Sequence, residues 1–233
     1  MIAIAVCFLF LPKTQKEAKS DNVYEFEISK IKYYSSANAI SNTTNYQNPE
    51  WNITIYQYTD IAIYLDRINA PKPENYIAKL AFRLTSSLPE DTAIYYLNPQ
   101  NFGNSNLSLD DKIAEELNYS VINSSNRENS QNYNIPIFFQ DCSNPITMRI
   151  VNTFPNHYKV SKDSTLVYNG SLLKNIGIEP NTLNRNFQFE LEMETKQGTP
   201  KTIPIELEIP LEDETRSILD GDFEQEVKQN WKF

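Results

Sequence analysis

Two stretches near the C-terminus constrain the fold more than any other part of the chain. Phe187, Phe189, Leu191 and Met193 alternate with Gln188, Glu190, Glu192 and Glu194. Ile203, Ile205, Leu207, Ile209 and Leu211 alternate with Pro204, Glu206, Glu208 and Pro210. A period of two belongs to a strand with one face in a core and the other in water. The connector Thr195–Thr202 contains Gly198 and Pro200, so the two strands are expected to form an antiparallel hairpin. Pro204 and Pro210 share a parity and have no N–H to donate, so one side of the second strand cannot carry a full ladder. The odd-numbered residues must pair with the Phe187 strand, and the other side is a free edge blunted by proline and glutamate.

The outward face of this hairpin carries Glu190, Glu192 and Glu194 on one strand and Glu206 and Glu208 on the other. If these carboxylates face each other, like charges sit side by side at a cost. Water and salt, a cation or a basic partner surface must offset it, which makes this face the first candidate contact surface.

The rest of the body reads as strands too. Tyr24, Phe26 and Ile28 alternate with glutamates before the apolar phase shifts to Ile31 and Tyr33, so a β-bulge is expected near Ser29–Lys30. A polar loop is expected over Ser35–Asn48, then strands over Trp51–Tyr58 and Ile61–Leu65 parted by Thr59–Asp60. Pro71 and Pro73 mark a connector, followed by strands over Tyr76–Leu84 and Thr92–Leu97. Further strands are expected over Asn118–Ile122, Ile135–Phe139, Ile146–Val151 and Thr165–Tyr168, with a short capped helix after Ser108. Asn169–Gly170 is a tight-turn signal, with a helical turn over Leu172–Ile178 as the alternative. The tail Ser217–Phe233 places Ile218, Leu219, Phe223, Val227 and Trp231 near one face of a short amphipathic helix.

Short strands spaced by turns make this an all-β chain, an antiparallel β-sandwich, expected as two Ig-like modules meeting near Asn98–Asp110. The division expected is a leader and flank over 1–20, modules over 21–105 and 106–212, and an acidic tail over 213–233. Ile2–Leu11 is unbroken apolar sequence followed by Lys13, Lys16 and Lys19. It is too short to cross a bilayer and lacks a positive flank before it. It reads as a truncated signal or membrane anchor, so the chain is expected to be membrane-anchored or secreted and extracytoplasmic. A buried first strand is the competing reading.

Several function classes are excluded. The five glycines are scattered, so no phosphate-cradling loop exists. The net charge is -9, and nine of the thirty acids lie between Glu206 and Glu226 against one base, Arg216, which disfavours nucleic acid. Cys7 and Cys142 make no disulfide framework or metal knuckle. The six Asn-x-Ser/Thr sequons follow from asparagine richness. His157, the single histidine, has no second histidine with which to build a zinc site, and a Cys142–His157 pair lacks an orienting shell.

The remaining candidates are binding groups. Tyr33, Tyr95 and Trp51 would form a stacking platform for sugars if they shared a face. Asp220, Asp222 and Glu224 place oxygens at alternate positions around Gly221, resembling the start of a calcium loop without its later ligands. No cofactor is expected. The reading is a binding or structural role at a cell surface without enzymatic activity, with a membrane contact through the leader and a protein or glycan partner. The alternatives are a carbohydrate-binding module and a hydrolase on a β scaffold, the latter requiring paired carboxylates in a cleft.

Overall fold

The computed structural model describes residues 25–45, 47–69, 77–97, 99–104, 117–120, 145–195 and 200–233. The leader, the Pro71–Pro73 connector, the helix expected after Ser108, the strand expected over 135–139 and both cysteines lie outside the described residues.

The described strands are β1 (Phe26–Ser41), β2 (Glu50–Arg67), β3 (Ile77–Leu84), β4 (Thr92–Tyr96), β5 (Leu117–Ser120), β6 (Ile146–Ser161), β7 (Asn186–Thr195), β8 (Lys201–Glu208) and β9 (Phe223–Lys232). They form two antiparallel sheets, one ordered β4-β6-β2-β1-β9 and the other β5-β3-β7-β8. We call these the long sheet and the short sheet. One continuous apolar core joins them, with Ile28, Ile31, Ile61, Ile63 and Met148 from the long sheet and Leu80, Phe82, Phe189, Leu191 and Leu207 from the short one. Phe82 and Phe189 stack across β3 and β7 with centroids 4.7 Å apart.

This topology corrects the expectation of two modules. β2 pairs with β6 and β1 with β9 in one sheet, while β3 pairs with β7 in the other. Strands from 21–105 and from 106–233 are therefore interleaved in both sheets, and a boundary at 98–110 divides neither.

The hairpin follows its alternation. β7 pairs with β8, with Phe189 opposite Ile205 and Phe187 opposite Leu207. Ile209 extends the pairing by donating to the Arg185 carbonyl. β8 is the edge of its sheet, with Pro204 opposite Glu190 and no N–H to offer outward. The bulge is also in place: the register of β1 against β2 shifts between Ile28 and Lys30, carrying the apolar phase from Phe26 and Ile28 to Ile31 and Tyr33.

Other local expectations are corrected. β2 runs unbroken through Thr59–Asp60, because Asp60 finds its partner on β6 rather than in a turn. β1 continues to Ser41, well into the expected loop, since β2 is long enough to pair with it throughout. Residues 165–168 form no strand, with Val167 and Tyr168 more than half exposed. The chain after Asn169 takes the helical turn α1 (Leu172–Ile176), which buries Leu172 and Leu173 in the core. The tail is not a helix: β9 alternates exposed Glu224, Glu226, Lys228 and Asn230 with more buried Phe223, Gln225, Val227 and Trp231. Phe223, Val227 and Trp231 step by four, a spacing that suits a strand as well as a helix, and pairing with β1 decides it.

α1 is reached through a close backbone approach. A β-carbon on Gly170 would fall within the van der Waals envelope of the Gly221 and Ile218 carbonyl oxygens, both fixed backbone atoms. Gly170→Ala is therefore expected to cost about 1–3 kcal/mol in urea unfolding, the usual range for overpacking. An unchanged midpoint would contradict this packing.

Candidate functional site

Polar groups gather on both faces of the long sheet. On its inner face Ser35, Thr59, Gln57, Asn152 and Thr92 form a buried row crossing β1, β2, β6 and β4. Ser35 and Thr59 share a 2.7 Å hydrogen bond, Gln57 donates to Thr59 at 3.0 Å, and Asn152 donates to Gln57 at 2.7 Å. Thr92 donates to Asn152 at 3.1 Å, and Asn184, two residues before β7, donates to Thr92 at 2.9 Å. The row is satisfied internally, which is what allows it to sit beneath a core.

On the outer face Asp60 and Arg149 are directly opposite each other across β2 and β6. Arg149 Nε donates to Asp60 Oδ1 at 2.6 Å and an Arg149 Nη donates to Oδ2 at 2.8 Å, with both side chains at 5% exposure or less. The segment 99–104 folds over the pair. Gly103, at φ +75°, donates its N–H to Asp60 at 2.8 Å, and the Asn104 carbonyl accepts from Arg149 at 2.8 Å. The guanidinium also lies 4.2 Å from the centre of the Tyr58 ring. Burial raises the Asp60 pKa, opposed by Arg149 and the Gly103 N–H. Both carboxylate oxygens are occupied, so the pair holds the sheet and the 99–104 segment together and has no free lone pair directed at solvent.

An open site lies elsewhere, where the two sheets end. Among the described residues β8 and β9 are consecutive strands, each at the edge of its own sheet, and they do not pair with each other. Between them is a cleft of about 320 Å³. β9 contributes Gln225, Val227 and Gln229, β8 contributes Glu206, Leu207 and Glu208, and Tyr33, Arg185 and Pro210 complete the lining. Arg185 reaches Glu208 at 3.7 Å and donates to the Ile209 carbonyl at 2.8 Å. Gln225 Oε1 is buried without a hydrogen-bond donor among the described residues. An acceptor left this way costs about 1–3 kcal/mol. Burial pushes the Tyr33 phenol up to about 12.

The residues singled out in the sequence are dispersed. The hairpin glutamates do not confront one another: Glu206 faces Gln188, Glu208 faces Asn186, Glu190 faces Pro204 and Glu192 faces Thr202. On the other side of β7, Glu190 lies opposite Arg83 and Glu194 opposite Lys79, and Arg83 forms an ion pair with Glu192. The register relieves the repulsion that was expected to require a partner. Tyr33 is on the inner face of the long sheet, Tyr95 lies on its outer face opposite Arg149, and Trp51 is half-buried against the core. They make no shared platform. Asp222 accepts from the Tyr34 hydroxyl at 2.9 Å, the Ser36 hydroxyl and the Gly170 N–H, while Asp220 lies 3.8 Å from Lys174. Glu224 is exposed on β9, and the described residues contain no grouping of three potential metal ligands. Of the candidate residues, Tyr33, Glu206 and Glu208 meet in the cleft. Gln225, Val227 and Gln229 were missed because the tail was assigned to a helix, although their alternation was present in the sequence.

Compared with protein-family models, curated proteins and solved structures, the chain matches none of them.

Two outcomes follow from the buried groups. Arg149→Met strands a buried carboxylate and should cost about 3–5 kcal/mol, whereas Arg149→Met combined with Asp60→Leu should recover much of that loss in urea unfolding. A single variant as stable as the parent would contradict the pair's role. The phenols of Tyr33, Tyr34 and Tyr58 all have raised pKa values, chiefly through burial. The stability this represents is fully present below about pH 10 and is lost as pH rises through the folded values, because the unfolded phenols ionise first. Absorbance titration of phenolate should show a late-ionising class coincident with alkaline unfolding.

Proposed function

We propose that this antiparallel, Ig-like sandwich is a binding module with no catalytic role, displayed outside the cytoplasm on a membrane anchor or as a secreted protein. Its binding face is the free edge of β9 together with the cleft behind it. The observation carrying this reading is the cleft between two edge strands that do not pair with each other, with Gln225 Oε1 buried in its wall without a donor among the described residues. Such a site suits a partner that brings a hydrogen-bond donor into the cleft and an extended backbone to the edge, the mode of β-strand addition.

The edges differ in what they offer. β8 presents Pro204 outward, whereas Phe223–Lys232 contains no proline. β9 therefore retains the donors that an added strand requires. The extracytoplasmic part of the reading is supported by the apolar run Ile2–Leu11, whose length suits the apolar region of a signal sequence.

The test is hydrogen exchange of β9 amides in the full chain against peptide, glycan and calcium panels. A true partner should slow exchange at Glu226, Lys228 and Asn230, and Gln229→Trp, which fills the cleft, should abolish its binding. Partners that bind without altering β9 exchange and tolerate Gln229→Trp would contradict the reading.

A further inference from the structure

We infer that the partner for the β9 edge is a second copy of this chain, added antiparallel about a two-fold axis through Val227. This rests on the reading of β9 and its cleft as the binding face, and it specifies the occupant.

The direction of the free backbone groups comes first. Phe233 and Phe26 exchange both backbone hydrogen bonds, so Phe233 turns its N–H and C=O toward β1. Backbone direction alternates along a strand, so the odd-numbered residues of β9 face β1 and the even-numbered ones face the free edge. Arg216 bears this out by donating to the Glu224 carbonyl from outside the sheet. Glu224, Glu226, Lys228 and Asn230 therefore carry the groups available to an added strand.

The sequence of β9, Phe-Glu-Gln-Glu-Val-Lys-Gln-Asn-Trp-Lys, is complementary to its own reverse about Val227. In that register Glu226 of each copy lies opposite Lys228 of the other, forming two symmetric opposite-charge pairs. Because both residues face the free edge, they occupy hydrogen-bonded positions, as an antiparallel ladder requires. Glu224 falls opposite Asn230, whose N–H takes over the carbonyl that the half-exposed Arg216 side chain now covers. Gln225 falls opposite Gln229, an amide able to supply the donor that Gln225 Oε1 lacks.

The existing ion pairs leave this arrangement open. Glu226 is held by Lys30 at 3.3 Å and Lys32 at 3.6 Å, both on β1, on the side of β9 away from its free edge. Lys228 has no ion pair among the described residues, so its ammonium is available to the facing Glu226. The two five-stranded sheets would join into one of ten strands, removing both β9 edges from water.

The test is sedimentation equilibrium of the full chain with two charge reversals. The parent should show concentration-dependent association to about twice the 27.0 kDa chain mass. Lys228→Glu alone and Glu226→Lys alone should each remain monomeric, because each places like charges in both symmetric pairs. Mixed in equal amounts they should associate again, since every Glu then faces a Lys. Lys228→Pro, which removes an outward N–H while leaving the β1 ladder intact, should also stay monomeric with an unchanged circular dichroism spectrum. A parent that is monomeric at every concentration would overturn the inference, and so would association that survives both reversals. Either result leaves the broader reading of β9 to be judged by its own exchange experiment with outside partners.

Discussion

The Asp60–Arg149 pair sits where the long sheet has the least freedom. Its two members lie on the central strand β2 and its neighbour β6, directly opposite each other and shielded by residues 99–104. Burying two charges is expensive and is repaid only by good geometry with the remaining valences filled. Here the bidentate contact, the Gly103 N–H and the Asn104 carbonyl fill them. A slip of one residue between β2 and β6 would part the charges and turn the inner apolar row outward. The ion pair and the isoleucines of β2 thus specify the same register, one from each face of the sheet.

The second constraint is a mismatch in strand length. β1, β2 and β6 each run for sixteen residues or more, whereas the strands of the short sheet have at most ten. Asn184, just ahead of β7, bonds into the buried polar row at the level where the short sheet begins. Leu172, Leu173 and Leu183, from the connection between β6 and β7, join the same apolar core, with α1 packed against β1. That connection needs Gly170 to pass against residues 218–221. Through Asn184 the polar row ties the start of β7 to the long sheet with directional bonds in place of interchangeable apolar contacts.

What the sequence revealed depended on whether a residue's partner was local. The β7–β8 hairpin, the proline-blunted edge and the bulge in β1 were legible because each follows from side-chain alternation or a missing N–H within one segment. The continuity of β2 was hidden because Thr59–Asp60 resembles a break, and the partner that turns it into strand lies 89 residues away. β9 was hidden because a spacing of four satisfies both helical and extended periods. The hairpin glutamates looked like an unmet repulsion because alternation alone does not fix which residues face across the hairpin, and because the Arg83 that pairs with Glu192 comes from β3, a distant part of the chain. The cleft was illegible for the same reason: it exists only where the edges of two sheets come to rest beside each other.

The interleaving of the two halves is the claim on which the core, the ion pair and the cleft all depend. The most direct measurement is to prepare 21–105 and 106–233 separately and record the thermal melt of each, alone and after mixing. With β2 deprived of β6 and β3 deprived of β7, neither half should give a cooperative transition alone. A sharp, reversible melt from either half by itself would show an independent module and contradict the interleaved sandwich.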